Sequence, residues 1–510
     1  MKKPLKVMKF GGTSVGDASC IERVVDIIRS TSHQANVAVV VSAMSGVTNQ
    51  LIEAANLAQA GNQTAVAEAF AKLGEQHEMV AKGLIRSEDR ARSLARKIGD
   101  LLAEGRRLCH GALLLGELTP RTLDAISGLG ERLCAPLVAA AVAEVGVASE
   151  AIDATELVVT DSYHGGAEPS IDLTRARCQA RVTPLLQRGI VPVITGFIGA
   201  TEEGVPTTLG RGGSDYSASI LGAALDADEV VIWSDVPGLL TADPRLVAEA
   251  GTITEISYRE AAELAYFGAK VLHPKTLRPL TQSGIPVSIR NTFAADELGT
   301  QVTPTGPMNA GGVKALAAIK DASLITVTSS SSSFANGTEG VPDVLSRTVA
   351  TAAAVRADVL LISQSSSHDE ICLVVPSPVA KRTVEALRHE FSRDSVREKA
   401  EHTVCEASVS VITLVGQKLR SASETVDRTF AVLAQENVHI IATVRGSSDC
   451  SVSFVVQQSD LQAALARIHR ELELGAVLRK AAGCFGSDSP SRLEVRIRTG
   501  DGRLSQFERC

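Results

Sequence analysis

Hydrophobic and polar positions alternate with two different periods over the first 300 residues. Short apolar runs of strand length occur at 37–43 (VAVVVSA), 230–233 (VVIW) and 285–290 (IPVSIR). Between such runs apolar residues recur at helical spacing, as in 21–28, where they occupy positions i, i+3, i+4 and i+7. Strands that alternate with helical segments are typical of an α/β layer fold. We therefore expect a doubly wound sheet, with a mostly helical elaboration between about residues 52 and 145.

The pattern changes after residue 300 to a repeated unit of strands and helices. Residues 301–314 carry two prolines and three glycines with few apolar side chains, which is typical of a linker. Two segments beyond it align at an offset of 81 residues, so that QSSS at 364–367 matches RGSS at 445–448. Each copy reads strand, helix, strand, strand, helix over about 80 residues. Two small α+β modules are predicted, and the pattern leaves open whether they serve dimerisation or ligand binding.

Composition and charge restrict the kinds of partner. The chain has 510 residues, is 45% hydrophobic and carries a formal net charge of −7. Because the phosphate backbone of nucleic acids binds basic surfaces, this mild acidity argues against a nucleic-acid partner. No apolar run approaches the ~20 residues that a membrane-spanning helix needs, so no membrane partner is expected. Nine cysteines without a CxxC pair favour a reduced, cytoplasmic location.

The segment KFGGTS at residues 9–14 is a candidate anion site. Lys9 ends a short apolar strand, and the pair Gly11-Gly12 lets backbone N–H groups approach an anion without a Cβ in the way. Ser14 adds a hydroxyl, and the following helix directs its positive N-terminal end at the same place. These features predict a phosphate site, and the alternative is a plain strand-turn-helix with a solvated lysine.

A second candidate site lies in TTLGRGGSDYSA at residues 207–218. Arg211 can form a bidentate pair with a substrate carboxylate, and Gly212-Gly213 permits close approach. Ser214 and the helix N-terminus add donors. Asp215 orients the substrate or accepts a proton in one interpretation, and is a first-turn helix acid favoured by the dipole in the other.

A third candidate site follows the apolar strand at 230–233. This strand ends at Ser234 and Asp235 and continues into a proline-glycine turn. The carboxyl end of a strand is where α/β proteins bind nucleotides. The turn therefore predicts a nucleotide site.

Seven motifs in this order resemble those of aspartate kinases. They are KFGGTS (9–14), VSAMSGVTN (41–49), GERL (130–133), TTLGRGGSDYSA (207–218), SDVPG with DPR (234–245), FGAKVLHP (267–274) and IPVSIRNTF (285–293). The resemblance implies a three-layer αβα sandwich kinase domain of the amino-acid kinase superfamily, followed by two α+β ferredoxin-like ACT domains. The implied ranges are 1–300 for the catalytic domain, 301–313 for the linker, 314–398 and 399–483 for the ACT domains, and 484–510 for a polar tail.

The resemblance also implies a reaction. MgATP and L-aspartate would give 4-phospho-L-aspartate and ADP, the entry step of lysine, threonine and methionine synthesis, with Mg²⁺ held mainly through the ATP phosphates. Threonine or lysine would act as effector through the ACT domains, which would also join chains into a homodimer or higher homo-oligomer. The chain ends before the homoserine dehydrogenase of bifunctional members, so a monofunctional enzyme is expected. Two alternatives stay open: a relative that phosphorylates acetylglutamate or glutamate, and a non-catalytic amino-acid sensor.

By the same resemblance the site residues fall into three sets. Lys9 would stabilise the transferring phosphoryl group, and Asp215 would orient the reactants or act as base; no residue is assigned to hold a metal. The substrate set is Ser42, Thr48, Glu131, Arg211, Gly212, Gly213 and Ser214. The ATP set is Lys9, Gly11, Gly12, Ser14, Ser234, Asp235, Leu240, Arg245, Lys270 and Val271.

Plainer structural roles are the alternatives for some of these residues. Glu131 could be a surface acid of its helix, and Arg245 could close its own loop with a salt bridge. His273, within the sixth motif, is expected to pack structurally rather than to act in catalysis.

Four positions bear on nucleotide and effector binding. Ser234 replaces a threonine of the family pattern and keeps its hydroxyl, whereas Leu240 replaces a tyrosine, so the affinity for ATP can differ. Gln364 matches the effector-binding glutamine of the first ACT domain, but Arg445 stands at the matching position of the second. Because arginine cannot accept a hydrogen bond, we expect at most one family-like effector position per chain, with threonine ahead of lysine.

Overall fold

The computed structural model describes residues 3–268, 271–307, 312–329, 341–364, 370–395, 402–419, 423–445 and 449–474. Two sheets organise this part of the chain, one of eight strands and one of six. A third, two-stranded sheet lies beside the larger one. The change of pattern after residue 300 therefore marks a change of sheet, as the sequence predicts.

The strands of the first 303 residues form the eight-stranded sheet and the two-stranded sheet. They are β1 (Leu5–Phe10), β2 (Asn36–Val41), β3 (Ser149–Ile152), β4 (Val191–Thr195), β5 (Ile198–Ala200), β6 (Pro206–Thr208), β7 (Glu229–Ser234), β8 (Glu255–Ser257), β9 (Val287–Asn291) and β10 (Thr300–Thr303). The order in the large sheet is β3-β4-β2-β1-β7-β9-β10-β8. Its first six strands run parallel, and β10 pairs antiparallel with β9. The carboxyl ends of the parallel strands consequently share one edge of the sheet.

Helices cover both faces of this sheet. They are α1 (Ala18–Ser32), α2 (Val47–Gln59), α3 (Gln63–Leu84), α4 (Glu88–Leu115), α5 (Pro120–Ser127), α6 (Leu129–Glu144), α7 (Ile171–Arg181), α8 (Thr183–Gln187), α9 (Gly213–Ala224), α10 (Tyr258–Tyr266) and α11 (Pro274–Ser283). Successive residues of β1 belong to different cores: Val7 packs with α9 and α11, and Met8 packs with α1 to α6. This burial of both faces produces the predicted αβα sandwich.

The predicted helical elaboration consists of α2 to α6 and lies on one face of the sheet. Within it, the stretch Pro120–Glu144 is long and apolar enough, by length and composition, to cross a membrane. Of its most apolar window, 78% is buried inside the fold. Packing against the sheet therefore already covers most of this apolar surface.

The six-stranded sheet contains the repeat. Its elements are β11 (Gly312–Ser329), α12 (Val341–Ala354), β12 (Leu361–Gln364), β13 (Glu370–Pro376), α13 (Ser377–Ser395), β14 (His402–Gln417), α14 (Ser423–Gln435), β15 (Ile440–Arg445), β16 (Ser451–Gln457) and α15 (Leu461–Glu471). Both copies have the predicted order strand, helix, strand, strand, helix. We call the copy with α12 and α13 the first module, and the copy with α14 and α15 the second module.

The two modules share their long strands. The first part of β11, Gly312–Ile319, pairs with the end of β14, whereas Ala322–Thr328 pairs with β13 on one side and the beginning of β14 on the other. Leu316 accordingly packs in the core of the second module, and Ile325 packs in the core of the first. A boundary near residue 399 therefore divides the chain but not the sheet.

The predicted linker is also shorter in the structure than in the sequence pattern. Its first residues, Gln301–Thr303, belong to β10 and pair with β8, and β11 begins at Gly312. Strand pairing with distant residues overrides the local proline and glycine signal at both ends. The other domain boundaries stay predictions, and the tail at 484–510 lies outside the described residues.

Candidate active site

A cavity of about 740 Å³ opens at the carboxyl ends of the parallel strands. Gly11 and Gly12 follow β1, Ser42 follows β2, and Ser234 ends β7, and all of them line this cavity. The opposite wall comes from α5, α6 and the segment that leads into α9. Such an edge is the usual ligand site of a parallel sheet.

Lys9 and Asp215 form an ion pair in the wall of the cavity. Lys9 is the next-to-last residue of β1 and is only 8% exposed, and its Nζ lies 2.5 Å from Asp215 Oδ1. Asp215 reaches this place from the first turn of α9, which begins after Gly212 at a φ of +71°. The pair fixes a positive charge at the cavity wall.

Glu131 is buried in the same wall. It lies in the first turn of α6, is 3% exposed, and its Oε2 has no hydrogen-bond partner among the described residues. Burial raises the pKa of Glu131 to about 8, although the backbone N–H of Ala43 and the charge of Lys9 oppose this effect. A buried carboxylate oxygen without a donor is costly. The arrangement is therefore suited to a ligand that brings a hydrogen-bond donor, above all an ammonium group.

Close packing of α6 brings Glu131 to the cavity. A Cβ added at the preceding Gly130 would lie 2.6 Å from the Cβ of Ala43. Only glycine therefore allows the start of α6 to approach the loop after β2 this closely. The role of a surface acid, which the sequence leaves open for Glu131, is excluded by its burial.

Arg211 provides a second positive charge at the cavity. It is exposed, lines the cavity, and makes no ion pair with any carboxylate in the part of the chain that the structure describes. The flanking Gly210 and Gly212 both have positive φ, at +76° and +71°. Ser42, Thr48 and Ser214 line the cavity with it. A guanidinium without a carboxylate partner, beside hydroxyl groups, can receive a carboxylate in a bidentate manner.

The structure changes the prediction for the phosphate site. Gly11 lines the cavity, but its N–H donates to the carbonyl of Trp233 at 3.1 Å and is not available to an anion. Ser14 is fully buried, and its Oγ lies 2.7 Å from Thr292 Oγ1. Of the predicted phosphate set, Lys9 and Gly12 therefore line the cavity, whereas Gly11 lines it with its N–H already bonded. The sequence could not reveal these two competing partners because both lie more than 200 residues away in the chain.

The remaining residues of the predicted ATP set are dispersed. Ser234 lines the cavity and its hydroxyl donates to the carboxylate of Asp235 at 3.1 Å. Leu240 pairs through its backbone with Thr252 in an isolated antiparallel β-bridge. The exposed Arg245 pairs with Asp243 at 2.8 Å, so the structural alternative of a loop-closing salt bridge is realised.

Three further predicted residues lie in the segment at 270–273. Val271 is half-buried and packs against the core, and Lys270 lies outside the described residues. His273 caps α11, because its Nδ1 accepts from the N–H of Lys275. This contact agrees with a structural role for His273.

The two predicted effector residues lie at the ends of corresponding strands. Gln364 ends β12 and is half-buried, and Arg445 ends β15 and is exposed. These strands form the two edges of the six-stranded sheet. The structure thus places the pair at repeat-related positions.

Asp124 and Phe197 also line the cavity, although they are absent from the predicted set. Asp124 is 4% exposed and accepts hydrogen bonds from His164, from the N–H of Gly165 and from both donors of Thr208. Phe197 has a φ of +67°, which is unusual for a residue with a Cβ. Its position directly after Gly196 could have drawn attention to it, whereas nothing near Asp124 in the sequence indicates its distant partners.

We expect Asp124→Ala to lower the free energy of unfolding by about 2 kcal/mol, because four donors would lose a buried acceptor. Urea unfolding checks this value. Asp100→Ala, a substitution at an exposed aspartate of α4, serves as control and should leave the free energy unchanged. Equal stabilities of the two variants would contradict the assigned role of Asp124.

Comparisons with known proteins identify relatives of both parts of the chain. Residues 4–291 match the amino acid kinase family, and residues 334–391 and 412–472 match the ACT domain. The bifunctional aspartokinase/homoserine dehydrogenase 1 of Zea mays is 32% identical over 91% of this chain and 50% of its own length. Aspartokinase 1 of Arabidopsis thaliana is 29% identical over 97% of this chain and 83% of its own length. The chain spans about half the length of the bifunctional plant relatives it matches.

Solved structures agree with these relatives. Aspartokinase III of E. coli in complex with aspartate and ADP has a TM-score of 0.75 at 30% identity, over 92% of this chain and 100% of that one. The same enzyme in complex with lysine and aspartate has a TM-score of 0.73 at 30% identity, over 92% of this chain and 99% of that one. These matches confirm the predicted fold class, with its sandwich domain and two ACT domains.

Proposed function

Because the chain belongs to the amino acid kinase family, we propose that it is an aspartate kinase. It would transfer the terminal phosphoryl group of ATP to the β-carboxylate of L-aspartate, giving 4-phospho-L-aspartate and ADP. The observation that carries this proposal is the unpartnered, buried Oε2 of Glu131 in a cavity that also holds Lys9 and Arg211. An amino acid with two carboxylates matches one acceptor and two cationic side chains.

Each end of the substrate has a matching group in the cavity. Arg211 would hold a carboxylate, with Ser214 nearby, and Glu131 would accept hydrogen bonds from the α-amino group. Thr48, in the first turn of α2, and Ser42 would add hydroxyl donors from the facing wall. The β-carboxylate would then point towards Lys9.

Lys9 would stabilise the charge on the phosphoryl group during transfer. Phosphoryl transfer asks little covalent chemistry of a protein and depends on positioning and electrostatic stabilisation. The β-carboxylate of aspartate is ionised at pH 7, so its attack requires no strong base. Asp215 would therefore hold Lys9 in place through their ion pair, which favours the orienting role over that of a base.

ATP fits the side of the cavity at the ends of β1 and β7. Lys9 supplies a cation there, Gly12 exposes backbone without a Cβ, and a Cβ at Gly12 would lie only 3.0 Å from the carbonyl of Ala43. ATP supplies the phosphoryl group, and Mg²⁺ would be held mainly by its phosphate oxygens and by water. Ser234 would contact the nucleotide from the end of β7.

The ACT domains would place the reaction under feedback control in the synthesis of lysine, threonine and methionine. E. coli aspartokinase III has been solved with lysine. For this chain we propose threonine ahead of lysine as effector, at a site that includes Gln364. We also propose a cytoplasmic enzyme that forms a homodimer or higher homo-oligomer through its ACT domains.

ADP release from MgATP tests the proposed function. We expect turnover with L-aspartate but not with glutamate or acetylglutamate, and a lower rate when threonine is added. Turnover with acetylglutamate instead would identify another kinase of the superfamily. Amino-acid binding without turnover on any of the three acids would contradict an enzyme and favour a sensor.

Gln364→Ala should raise the threonine concentration for half-maximal inhibition at least about tenfold, because one side-chain hydrogen bond to a charged ligand would be lost. We expect kcat to stay within about twofold, since β12 lies in the six-stranded sheet, apart from the catalytic cavity. Arg445→Ala, at the repeat-related position, serves for comparison and should change inhibition less. Rates over a threonine series measure both variants. Unchanged inhibition of Gln364→Ala would exclude this residue from the effector site.

A further inference from the structure

The loop between β7 and β8 packs into the hydrophobic core of the second module. This loop spans residues 235–254, and its part 235–252, which we call loop 235–252, leaves the cavity wall directly after Ser234. Ala242 and Val247 are 4% and 1% exposed, and their neighbours in the core include side chains of β11, β14, β16 and α15. One segment therefore belongs both to the predicted nucleotide site and to the core of a regulatory domain.

Thr241 anchors this loop through all its polar groups. Its carbonyl accepts from the N–H of Leu316 in β11 at 2.8 Å, and its own N–H donates to Gly251 across the loop at 2.9 Å. Its Oγ1 accepts from the N–H of Gly251 at 3.0 Å and lies 2.9 Å from Nε2 of His469. Thr241 is 4% exposed, so each of these contacts is shielded from water.

His469 contributes the contact from the second module. It lies in the last turn of α15 and is 2% exposed. Burial lowers the pKa of His469, with a smaller opposing effect of Glu249, so the ring is neutral at pH 7 and Nε2 can accept the hydroxyl proton of Thr241. The hydroxyl of Thr241 then donates to His469 and accepts from the N–H of Gly251. These two bonds fix the position of the loop relative to α15.

We propose that His469 is a positioning residue for nucleotide binding, which acts through Thr241 on the loop 235–252. Moving α15 against β11 would displace Thr241, because the threonine bonds to both elements. The displacement would reach Ser234 through the short segment that joins Thr241 to the end of β7. The packing of the second module would thus set the affinity for nucleotide. This inference rests on the proposed function, because only that proposal assigns nucleotide binding to the loop.

Binding of ADP with Mg²⁺, measured by calorimetry, tests this role. Thr241→Val and His469→Leu should each raise the Kd for ADP at least about fivefold, and the double variant should bind ADP no more weakly than either single variant. His469→Gln, which keeps an acceptor, should restore part of the affinity. The KM for aspartate should stay within about twofold in all of them, because the loop contributes no residue after Ser234 to the wall around Glu131 and Arg211.

Thr413→Val is the matched control. Thr413 is a fully buried threonine of the second module, and its Oγ1 bonds to Ser453 Oγ at 2.9 Å within the sheet. Its substitution should lower the thermal unfolding midpoint as Thr241→Val does but leave the Kd for ADP unchanged. An equal rise of Kd in the control, or an unchanged Kd in Thr241→Val, would overturn the inference.

The same measurements separate this inference from the proposed function. Wild-type protein that binds ADP but does not phosphorylate aspartate would overturn the function, and the Kd values of the variants would still decide the role of His469. Wild-type protein that binds no ADP would overturn both.

Discussion

Lys9→Met should lower kcat for phosphorylation of aspartate by about 1,000-fold, while the protein stays folded. Methionine has a similar length, so the end of β1 keeps its packing but loses its positive charge. The charge matters most in the transition state, because negative charge then lies on the transferring phosphoryl group in a site with little water. Lys9 is 8% exposed, so the electrostatic contribution is only weakly screened.

A lysine on the same strand provides the control for this prediction. Lys6 also forms an ion pair, with Glu229 at 2.7 Å, but it lies at the other end of β1 and outside the cavity. Lys6→Met should leave kcat within about twofold. A coupled assay for ADP gives kcat, and urea unfolding shows whether both variants are folded. Lys9→Met that retains a tenth of the wild-type rate would refute the role of Lys9 in stabilising the phosphoryl group.

Glu131→Gln should raise the KM for aspartate at least about 100-fold and at the same time stabilise the free protein at pH 8. The amide cannot compensate the charge of the ammonium group, and loss of a buried charge-assisted hydrogen bond is costly. In the free protein, however, a neutral amide avoids the burial of an uncompensated carboxylate. Binding and stability therefore change in opposite directions.

The pKa of Glu131 determines the pH range of both effects. Its value rises from 4.5 to about 8 on folding, so below pH 4.5 the carboxyl is protonated in both states and costs no stability. Between pH 4.5 and 8 the unfolded chain loses this proton first, so wild-type stability falls with rising pH relative to Glu131→Gln, by as much as about 4 kcal/mol. Aspartate should bind more tightly as pH rises towards 8, because its ammonium group requires the carboxylate form.

Glu144, at the end of the same helix, is a control whose pKa is shifted in the opposite direction. The hydrogen bond from Arg90 lowers the pKa of Glu144, so its stabilising contribution is present above the unfolded pKa and is lost as pH falls. Glu144→Gln should therefore show no loss of affinity for aspartate and no gain of stability at pH 8. Unfolding at several pH values and aspartate titrations measure both variants. The same KM in Glu131→Gln and wild type would exclude contact with the substrate amine.

Patterns that act over short distances made much of this protein predictable from its sequence. Periodicity indicates the sandwich and the repeat, because burial of one face or both faces imposes spacing on neighbouring residues. Lys9, Arg211 and Asp215 are recognisable because each stands within two residues of a glycine, near the end of a strand or the start of a helix. Their convergence on one cavity follows from the parallel direction of the strands.

Contacts between distant parts of the chain explain what the sequence did not reveal. Ser14 is occupied by Thr292, and the N–H of Gly11 is occupied by the carbonyl of Trp233. The hydrogen-bond donors to Asp124 are distant from it in the chain, so these bonds form only when the protein folds. No local spacing encodes such pairings, so a motif can indicate which residues gather at a site but not which of their donors remain available.

The exchange of strands between the two modules has a consequence for how the pair can change in evolution. Each half of β11 packs on a different core within the one six-stranded sheet, so neither repeat contains all the strands that cover its own core. A copy deleted or transplanted by itself would leave an open strand edge and an uncovered core. The two modules are therefore expected to unfold as one cooperative unit. Only recombination that moves both modules together would preserve their fold.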